Sequence, residues 1–378
     1  MSWILWLGAA QGFFLSLLLL SYPKGNKIAN RILAFHLILF SLSISIPELI
    51  IHFPLRFAPL IGSTFPLMFL FGPSIYFYTA LLTRQRVRFV PKDAWHLGPS
   101  LLSFLLLIPF YLQSTGEKLN ILSTFESNGP PIGLSITWGL ECFHVIVYLL
   151  LTIVTLKNYQ GEVQSSFSSL EKINLKWLKN LILGNIAVWT IYSMIFLVMV
   201  FNFSPNLYFI SYYAFGMAVS ILVYSIGYFG LRQPEIFASA TFNILSSDKQ
   251  KKYQKTSLNT EQSLDYRDKL KYYMEIEKPY KNPSLNLSQL SHSLNIPSHH
   301  LSQVINERIG LNFFDFVNSY RIKEATQLLS DPQKSEYTII ELAYKSGFNS
   351  KSTFNAAFKR FTCSTPTEFR KNKVVAPL

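Results

Sequence analysis

Glu141 and His144 lie three residues apart inside a long apolar run, so a helix would carry both on one face. A carboxylate at membrane depth is costly and by default suggests a ligand, ion or proton site. The plainer reading is an interhelical hydrogen bond that holds a bundle together. Gln11, His36, Glu48 and Asn185 also fall in or at the ends of apolar runs, and for them the structural reading weighs more. One Glu and one His are too few for a metal site. No metal-binding spacing or pair of catalytic carboxylates occurs in these runs, so neither enzyme chemistry nor a cofactor is expected. A different chemistry is legible near the C-terminus. His299, Ser302, Gln303 and Asn306 lie opposite the apolar Leu301, Val304 and Ile305 in one helical stretch. Lys351, Ser352, Asn355 and Ala356 lie opposite Phe354, Phe358 and Phe361 in another. A second helix with a polar outer face, following a short helix and a tight turn, is the motif that inserts into a major groove of DNA.

The elements that position these residues differ in kind between the two ends of the chain. Of 378 residues, 49% are hydrophobic and 32 are Phe, yet the net charge is +13. Residues 1–230 hold long, nearly charge-free apolar runs, while residues 231–378 read as an ordinary soluble sequence. A membrane span needs roughly 20 mostly apolar residues. Seven candidates are predicted, approximately 3–22, 32–51, 60–82, 95–112, 132–156, 180–201 and 207–230. The fourth is the shortest and contains Pro99 and Pro109. The first has no basic residue before it, which favours an uncleaved anchor over a signal peptide. Alternate loops hold eleven basic residues, among them Lys27, Arg31, Arg84, Lys92, Lys157 and Lys179, and the others only Arg56 and Lys118. That bias predicts an integral inner (cytoplasmic) membrane protein with its N-terminus outside and its C-terminal domain in the cytoplasm after seven spans.

From 231 to about 260 runs a basic connector with Lys249, Lys251, Lys252 and Lys255, a solvated linker or a stretch drawn to anionic lipid. A helical stripe through Leu264, Leu270, Tyr273 and Met274 follows, closed by Pro279 and Pro283. Helix 287–294 is predicted to bury Leu287, Leu290 and Leu294. Asn295 makes the turn, and Ser298 is placed to cap the next helix. A long helix over about 312–329 leads to a second such unit. There, helix 338–346 buries Ile339, Ile340, Leu342 and Ala343, Gly347 turns the chain, and Ser350 caps the helix that follows. Cys142 and Cys363 fall in different phases and are read as isolated thiols.

The segment GFNSKSTFNAAFKRFTCSTPTEFRK closely resembles the signature of AraC-type (AraC/XylS) transcriptional regulators. In that signature a Gly-Phe turn is followed by a capping Ser, Phe-x-x-x-Phe-Lys, Thr-Pro and an aromatic-Arg pair. The likeness covers about 265–371 and is better in the second unit. The whole chain resembles a less common arrangement in which this domain follows a seven-span membrane region. The resemblance implies two recognition helices, joined by the long helix, that enter successive major grooves. Carried over by position, it makes His299, Ser302, Gln303, Lys351, Ser352, Asn355 and Ala356 the base-facing residues. Gln and Asn can pair with adenine N6 and N7, and Lys and His can reach guanine O6 or N7. Ser350, Thr353, Lys359, Arg360, Arg370 and Lys371 are better suited to phosphate. Cys363 stands where the family usually has Gly, so the turn there must adapt or carry strain. Ser291 replaces a small apolar residue, Ile305 replaces an aromatic, and no Arg occupies either reading face.

The expected fold is therefore all-α, a seven-helix transmembrane bundle over 1–230 and, beyond the connector, a cytoplasmic domain over 261–378. Its helix-turn-helix units are expected at about 287–306 and 338–361. The expected role is a membrane-tethered one-component transcriptional regulator. Its partners would be double-stranded promoter DNA, membrane lipids and an unknown small-molecule or membrane signal. A homodimer is a further expectation, because two short helices give limited affinity. Glu141 and His144 are the candidates for sensing. The competing expectations make the membrane half transporter-like or a passive anchor for the DNA-binding tail.

Overall fold

A backbone in hydrocarbon must satisfy its own hydrogen bonds, and long apolar runs do so as helices. The computed structural model describes residues 2–23, 26–83, 90–170, 175–201, 204–232 and 258–374. Lys24, Arg84, Arg86, Arg88 and Lys172, and connector residues 233–257, lie outside the described residues. Among those described, the regular structure is helical with no strand, and one isolated antiparallel bridge joins Phe167 and Asn286. The chain divides into two units, Met1–Lys157 with Leu175–Asp248, and Asn158–Asn174 with Lys249–Leu378.

The first unit contains α1 (Ser2–Ser21), α2 (Lys27–His52), α3 (Thr64–Thr83), α4 (Ile132–Gln164, its end beyond Lys157 falling in the second unit), α5 (Lys176–Phe201) and α6 (Pro205–Arg232). These six are long and apolar enough to cross a membrane. The predicted fourth span takes another form. A 3-10 stretch, Pro91–Leu97, is followed by helices Gly98–Leu106 and Ile108–Tyr111. Pro99 and Pro109 each sit in the first turn of one of these helices, where a missing N–H costs nothing but no preceding turn can form. Polar groups between the long helices act as fasteners. His36 is hydrogen-bonded to Ser74 Oγ (2.7 Å) and to Asn185 Oδ1 (3.0 Å), which ties α2 to α3 and α5. Tyr212 OH donates to the buried Glu48 at 3.1 Å. Both arrangements match the interhelical role that suits polar side chains in a bundle.

The second unit is organised on two small cores that share one helix. α7 (Thr260–Ile276), α8 (Leu287–Leu294) and α9 (Ser298–Val304) bury Leu270, Met274, Leu290 and Leu301 in the first core. α11 (Ile339–Lys345) and α12 (Lys351–Thr362) bury Leu342, Ala343, Phe354 and Phe358 in the second. The long α10 (Phe313–Ser330) serves both, with Phe313, Phe316 and Val317 in the first and Ile322, Ala325 and Leu329 in the second. A final helix, α13 (Pro366–Val374), brings Phe369 edge-on against Phe358.

Three local expectations are corrected. Phe361 is 37% exposed and Ile340 36%, instead of facing inward. Ala357 fills the inner position beside Phe358, and Phe369 closes the core that Phe361 was expected to close. Ser298 is the first residue of α9 and not its cap; its hydroxyl donates to Ser291 Oγ at 3.0 Å. The Gly-like position at Cys363 does adopt the left-handed conformation, with φ +59°. That conformation costs an L-residue roughly 1–2 kcal/mol that glycine avoids. Cys363→Gly is therefore expected to stabilise the domain by about 1 kcal/mol and to raise its melting temperature by about 4–8 °C. A thermal melt followed by protease resistance checks this; an unchanged or lower midpoint would show that the turn is already relaxed.

Candidate nucleic-acid interface

In the first helix-turn-helix unit, Asn286 caps α8. It accepts from the amide of Gln289 at 2.9 Å, while Gln289 Oε1 accepts from the Asn286 amide at 3.0 Å. Asn295 ends α8 at φ +54°, the conformation expected of it. Ser291, out of character for its position, is satisfied inside the turn, donating to the Ile296 carbonyl. α9 then continues into one π-helical stretch, Ile305–Ile309, before Gly310 breaks it. Arg308 Nε donates to Ser263 Oγ at 2.9 Å, which braces this stretch against α7.

The second unit is built alike. Thr338 and Glu341 form a reciprocal capping box at the start of α11. Gly347 turns the chain at φ +94°, and Ser350 caps α12 by accepting from the Thr353 amide at 3.2 Å. Lys351, Ser352, Asn355 and Ala356 all stand exposed on the outer side of α12. On α9, His299 is exposed while Ser302 and Gln303 are half-buried. These two already have partners on their own helix, since Gln303 donates to Glu307 at 3.0 Å and Ser302 accepts from Asn306. His300, behind the reading side, has its imidazole pKa lowered by burial and then by the neighbouring His299.

Of the residues assigned to phosphate, Lys359 and Lys371 are exposed. Arg360 forms a two-pronged ion pair with the buried Asp315 of α10, at 2.7 and 2.8 Å. Arg370 donates to the Tyr337 carbonyl at 2.8 Å. Ser350 and Thr353 are engaged in the helix cap. The two arginines thus hold the domain together in the free protein, and sequence spacing contained no sign of it.

The residue that sequence reading passed over entirely is Arg321 in α10, which is 1% exposed. Burial lowers its pKa to about 10, which leaves it charged at neutral pH. Glu324, one turn on, faces Lys281 at 2.7 Å and accepts from Tyr280 OH at 3.0 Å. Burial pushes its carboxyl up, but Lys281, Tyr280 and Lys278 outweigh that and hold it below the ordinary carboxylate range.

In the first unit, Glu141 and His144 are not partnered with each other. Tyr192 OH donates to one oxygen of Glu141 at 2.9 Å, and the other oxygen is buried without a partner. Neither ring nitrogen of His144 has a partner, and the ring packs against Phe69 and Tyr148. One helical turn from Glu141, Thr137 lines a cavity of about 680 Å³ whose walls include Pro47, Ile50, Phe65, Phe110 and Leu134. Its size falls within the range of small-molecule sites, which run to roughly 300–1,000 Å³.

Residues 290–372 match the family described as a helix-turn-helix domain. With the two capped units on a shared helix and the signature above, the C-terminal region is a helix-turn-helix domain of the AraC type. Over 121 residues it is 30% identical to an uncharacterized HTH-type transcriptional regulator of Staphylococcus aureus (strain COL), covering 32% of this chain and 16% of that protein. It is 32% identical over 96 residues to the HTH-type transcriptional regulator GlxA of Rhizobium meliloti (strain 1021), covering 25% of this chain and 27% of that protein. The chain thus spans about a sixth to a quarter of these relatives. A Listeria innocua protein of unknown function is similar at 26% identity and a TM-score of 0.24, over 28% of this chain and 94% of that one.

Proposed function

We propose that this chain is a transcriptional regulator tethered in the membrane, whose cytoplasmic domain binds promoter DNA and whose helical bundle responds to a signal. The observation that carries the DNA-binding part is the pair of capped helix-turn-helix units on one shared helix, each with a polar helix face turned to solvent. The names of its relatives, both HTH-type transcriptional regulators, support the same reading. His299, Ser302, Gln303, Lys351, Ser352, Asn355 and Ala356 read base edges. Lys359 and Lys371 are the foremost phosphate contacts, with Ser350, Thr353, Arg360 and Arg370 at the margin of the interface. The eleven-to-two bias of basic residues between alternate loops supports seven crossings, with residues 91–112 as a broken span and the C-terminal domain in the cytoplasm.

Full-length protein in detergent is expected to shift a fragment from upstream of its own gene. About four phosphates neutralised by Lys and Arg would cost roughly 10² in affinity between 50 and 200 mM salt. No shift at low salt, or a shift indifferent to salt, counts against the reading.

The bundle is proposed to bind its signal near Glu141 and His144, which follow the cavity-lining Thr137 by one and two helical turns and of which one Glu141 oxygen and both His144 ring nitrogens are buried without partners. A small, largely apolar molecule with one polar group suits that lining. Transmission requires only that the ligand bind two states of the bundle with different affinity. Glu141→Gln with His144→Phe is expected to abolish the response of a promoter reporter while membrane abundance stays unchanged. A response that survives both substitutions makes the bundle an anchor. The domain limits that go with this reading are 1–230, the connector 231–260 and 261–378.

A further inference from the structure

Arg321 heads the fully buried side chains of the molecule, and its hydrogen bonds involve no carboxylate. A buried guanidinium is tolerable only while each of its N–H donors finds an acceptor. Nε donates to the Tyr280 carbonyl at 2.8 Å. Nη1 donates to the Ser168 carbonyl at 3.0 Å and to Asn318 Oδ1 at 3.3 Å. Nη2 donates to Ser168 Oγ at 3.0 Å and to the Asn282 carbonyl at 2.9 Å. Two of the five acceptors therefore belong to Ser168, which is itself wholly buried. Ser168 lies far earlier in the chain, in the connection between α4 and α5.

The neighbours of Ser168 dock as well. The Leu287 amide donates to the Ser166 carbonyl at 2.9 Å, and the Ser168 amide donates to the Leu285 carbonyl at 3.2 Å. These bonds flank the antiparallel pair Phe167–Asn286 and make one rung of a sheet. Ser168 Oγ donates to the Leu285 carbonyl, and Asn349 Nδ2 donates to Ser169 Oγ at 3.0 Å. Four residues thus touch three places that set the geometry of the domain. They meet the cap of α8 in the first unit, the middle of the shared helix, and Asn349, which precedes the cap of α12 in the second. With the segment in place, the outer side of α12 and His299 on α9 remain exposed. The segment orders the interface without covering it.

We propose that residues 166–169 are an internal staple. Docked on the face formed by Leu285, Asn286, Leu287, Arg321 and Asn349, they hold the two helix-turn-helix units in the arrangement that binds DNA. Withdrawal of this segment is then the step by which the connection between α4 and α5 weakens the hold on a promoter. The inference rests on the DNA-binding reading above. It assigns that reading a control point that does not run through the connector 231–260.

The test uses the full chain in nanodiscs, in a Cys363→Ser background. Cα atoms of a non-hydrogen-bonded antiparallel pair lie about 4.5 Å apart, within reach of a disulfide. Phe167→Cys with Asn286→Cys is expected to cross-link under a mild oxidant, while Phe167→Cys with Gln333→Cys is not. The oxidised chain should bind promoter DNA as tightly as the reduced one or more so. Ser168→Pro removes the amide donor and the hydroxyl together and takes from the guanidinium the acceptor that Nη2 finds on Ser168 Oγ. It is expected to weaken binding about tenfold at fixed salt, with Ser168→Ala in between. Cross-linking no faster than the control pair overturns the docking. Cross-linking with Ser168→Pro binding like wild type overturns the staple. A double variant that cross-links while the wild-type chain shifts no DNA overturns the DNA-binding reading and leaves the docking in place.

Discussion

Gly347→Ala is expected to cost the C-terminal domain about 3 kcal/mol or more, among the largest single-residue effects in this chain. Two causes combine. The residue sits at φ +94°, where an L side chain is strained whatever the space around it. A Cβ there would also lie 2.3 Å from the Tyr280 carbonyl oxygen and 2.8 Å from the Lys281 Cα. Neither atom can step aside easily. The Tyr280 carbonyl accepts from the buried Arg321, and the Tyr280 ring is 4% exposed in the first core with its hydroxyl on Glu324. The added carbon would therefore push the turn of the second unit off the first. All six tryptophans precede residue 190, so fluorescence reports on the other half of the chain. Hydrogen exchange at the Phe348 amide, which donates to the Ala343 carbonyl at 3.1 Å, reads the right place. Gly310→Ala is the control. It shares the positive φ, +78°, but its Cβ would meet nothing within 4 Å, so it should lose only about 1 kcal/mol. Equal losses at the two glycines would refute the clash.

Gly347 could be marked as a turn from its place between two periodic stretches, and so could Asn295; both carry the positive φ that their residue types accommodate. The cap at Ser350 and the apolar stripes of α8 and α12 were legible for the same reason, since they depend on contacts three and four residues apart. What sequence could not contain is pairing across distance. Arg360 has the composition of a phosphate contact, and only the position of Asp315, 45 residues away, shows that it is engaged. Arg321 looks like a solvent-facing residue in a helix until the carbonyls of Tyr280, Asn282 and Ser168 converge on it. The errors at Phe361 and Ile340 came from extending an apolar stripe to the ends of short helices, where a neighbouring element supplies the packing instead. The same limit applied in the first unit. Glu141 and His144 do share a helix, but the partner of Glu141 is Tyr192 on α5, which spacing within one helix cannot identify.

Asn355→Ala is expected to lower affinity for the cognate promoter by about 5- to 150-fold, the cost of one lost two-pronged contact to a base of roughly 1–3 kcal/mol. Its position makes the case. Asn355 lies between Lys351 and Lys359 at four-residue intervals along the exposed side of α12, so the flanking ammonium groups can hold phosphates while its amide faces an edge. Ala356 beside it brings no bulk, which lets the helix approach closely. The substitution removes no cap and no buried contact, so melting of the domain should be unchanged. Binding to unrelated DNA should also be unchanged, because that depends on phosphate. Lys359→Ala should behave in the opposite way, weakening cognate and unrelated DNA alike and reducing the salt slope by about one. Asn355→Asp separates chemistry from shape. It keeps the size, loses the donor that an adenine N7 needs, and places a negative charge near phosphates, so it should cost more than alanine. Arg360 is a poor probe by comparison, since its removal leaves the buried Asp315 unpaired and confounds folding with recognition. If Asn355→Ala weakens cognate and unrelated DNA by the same factor, α12 positions the protein without reading sequence. Specificity would then have to reside in α9, where Gln303 must first leave Glu307 before it can reach a base.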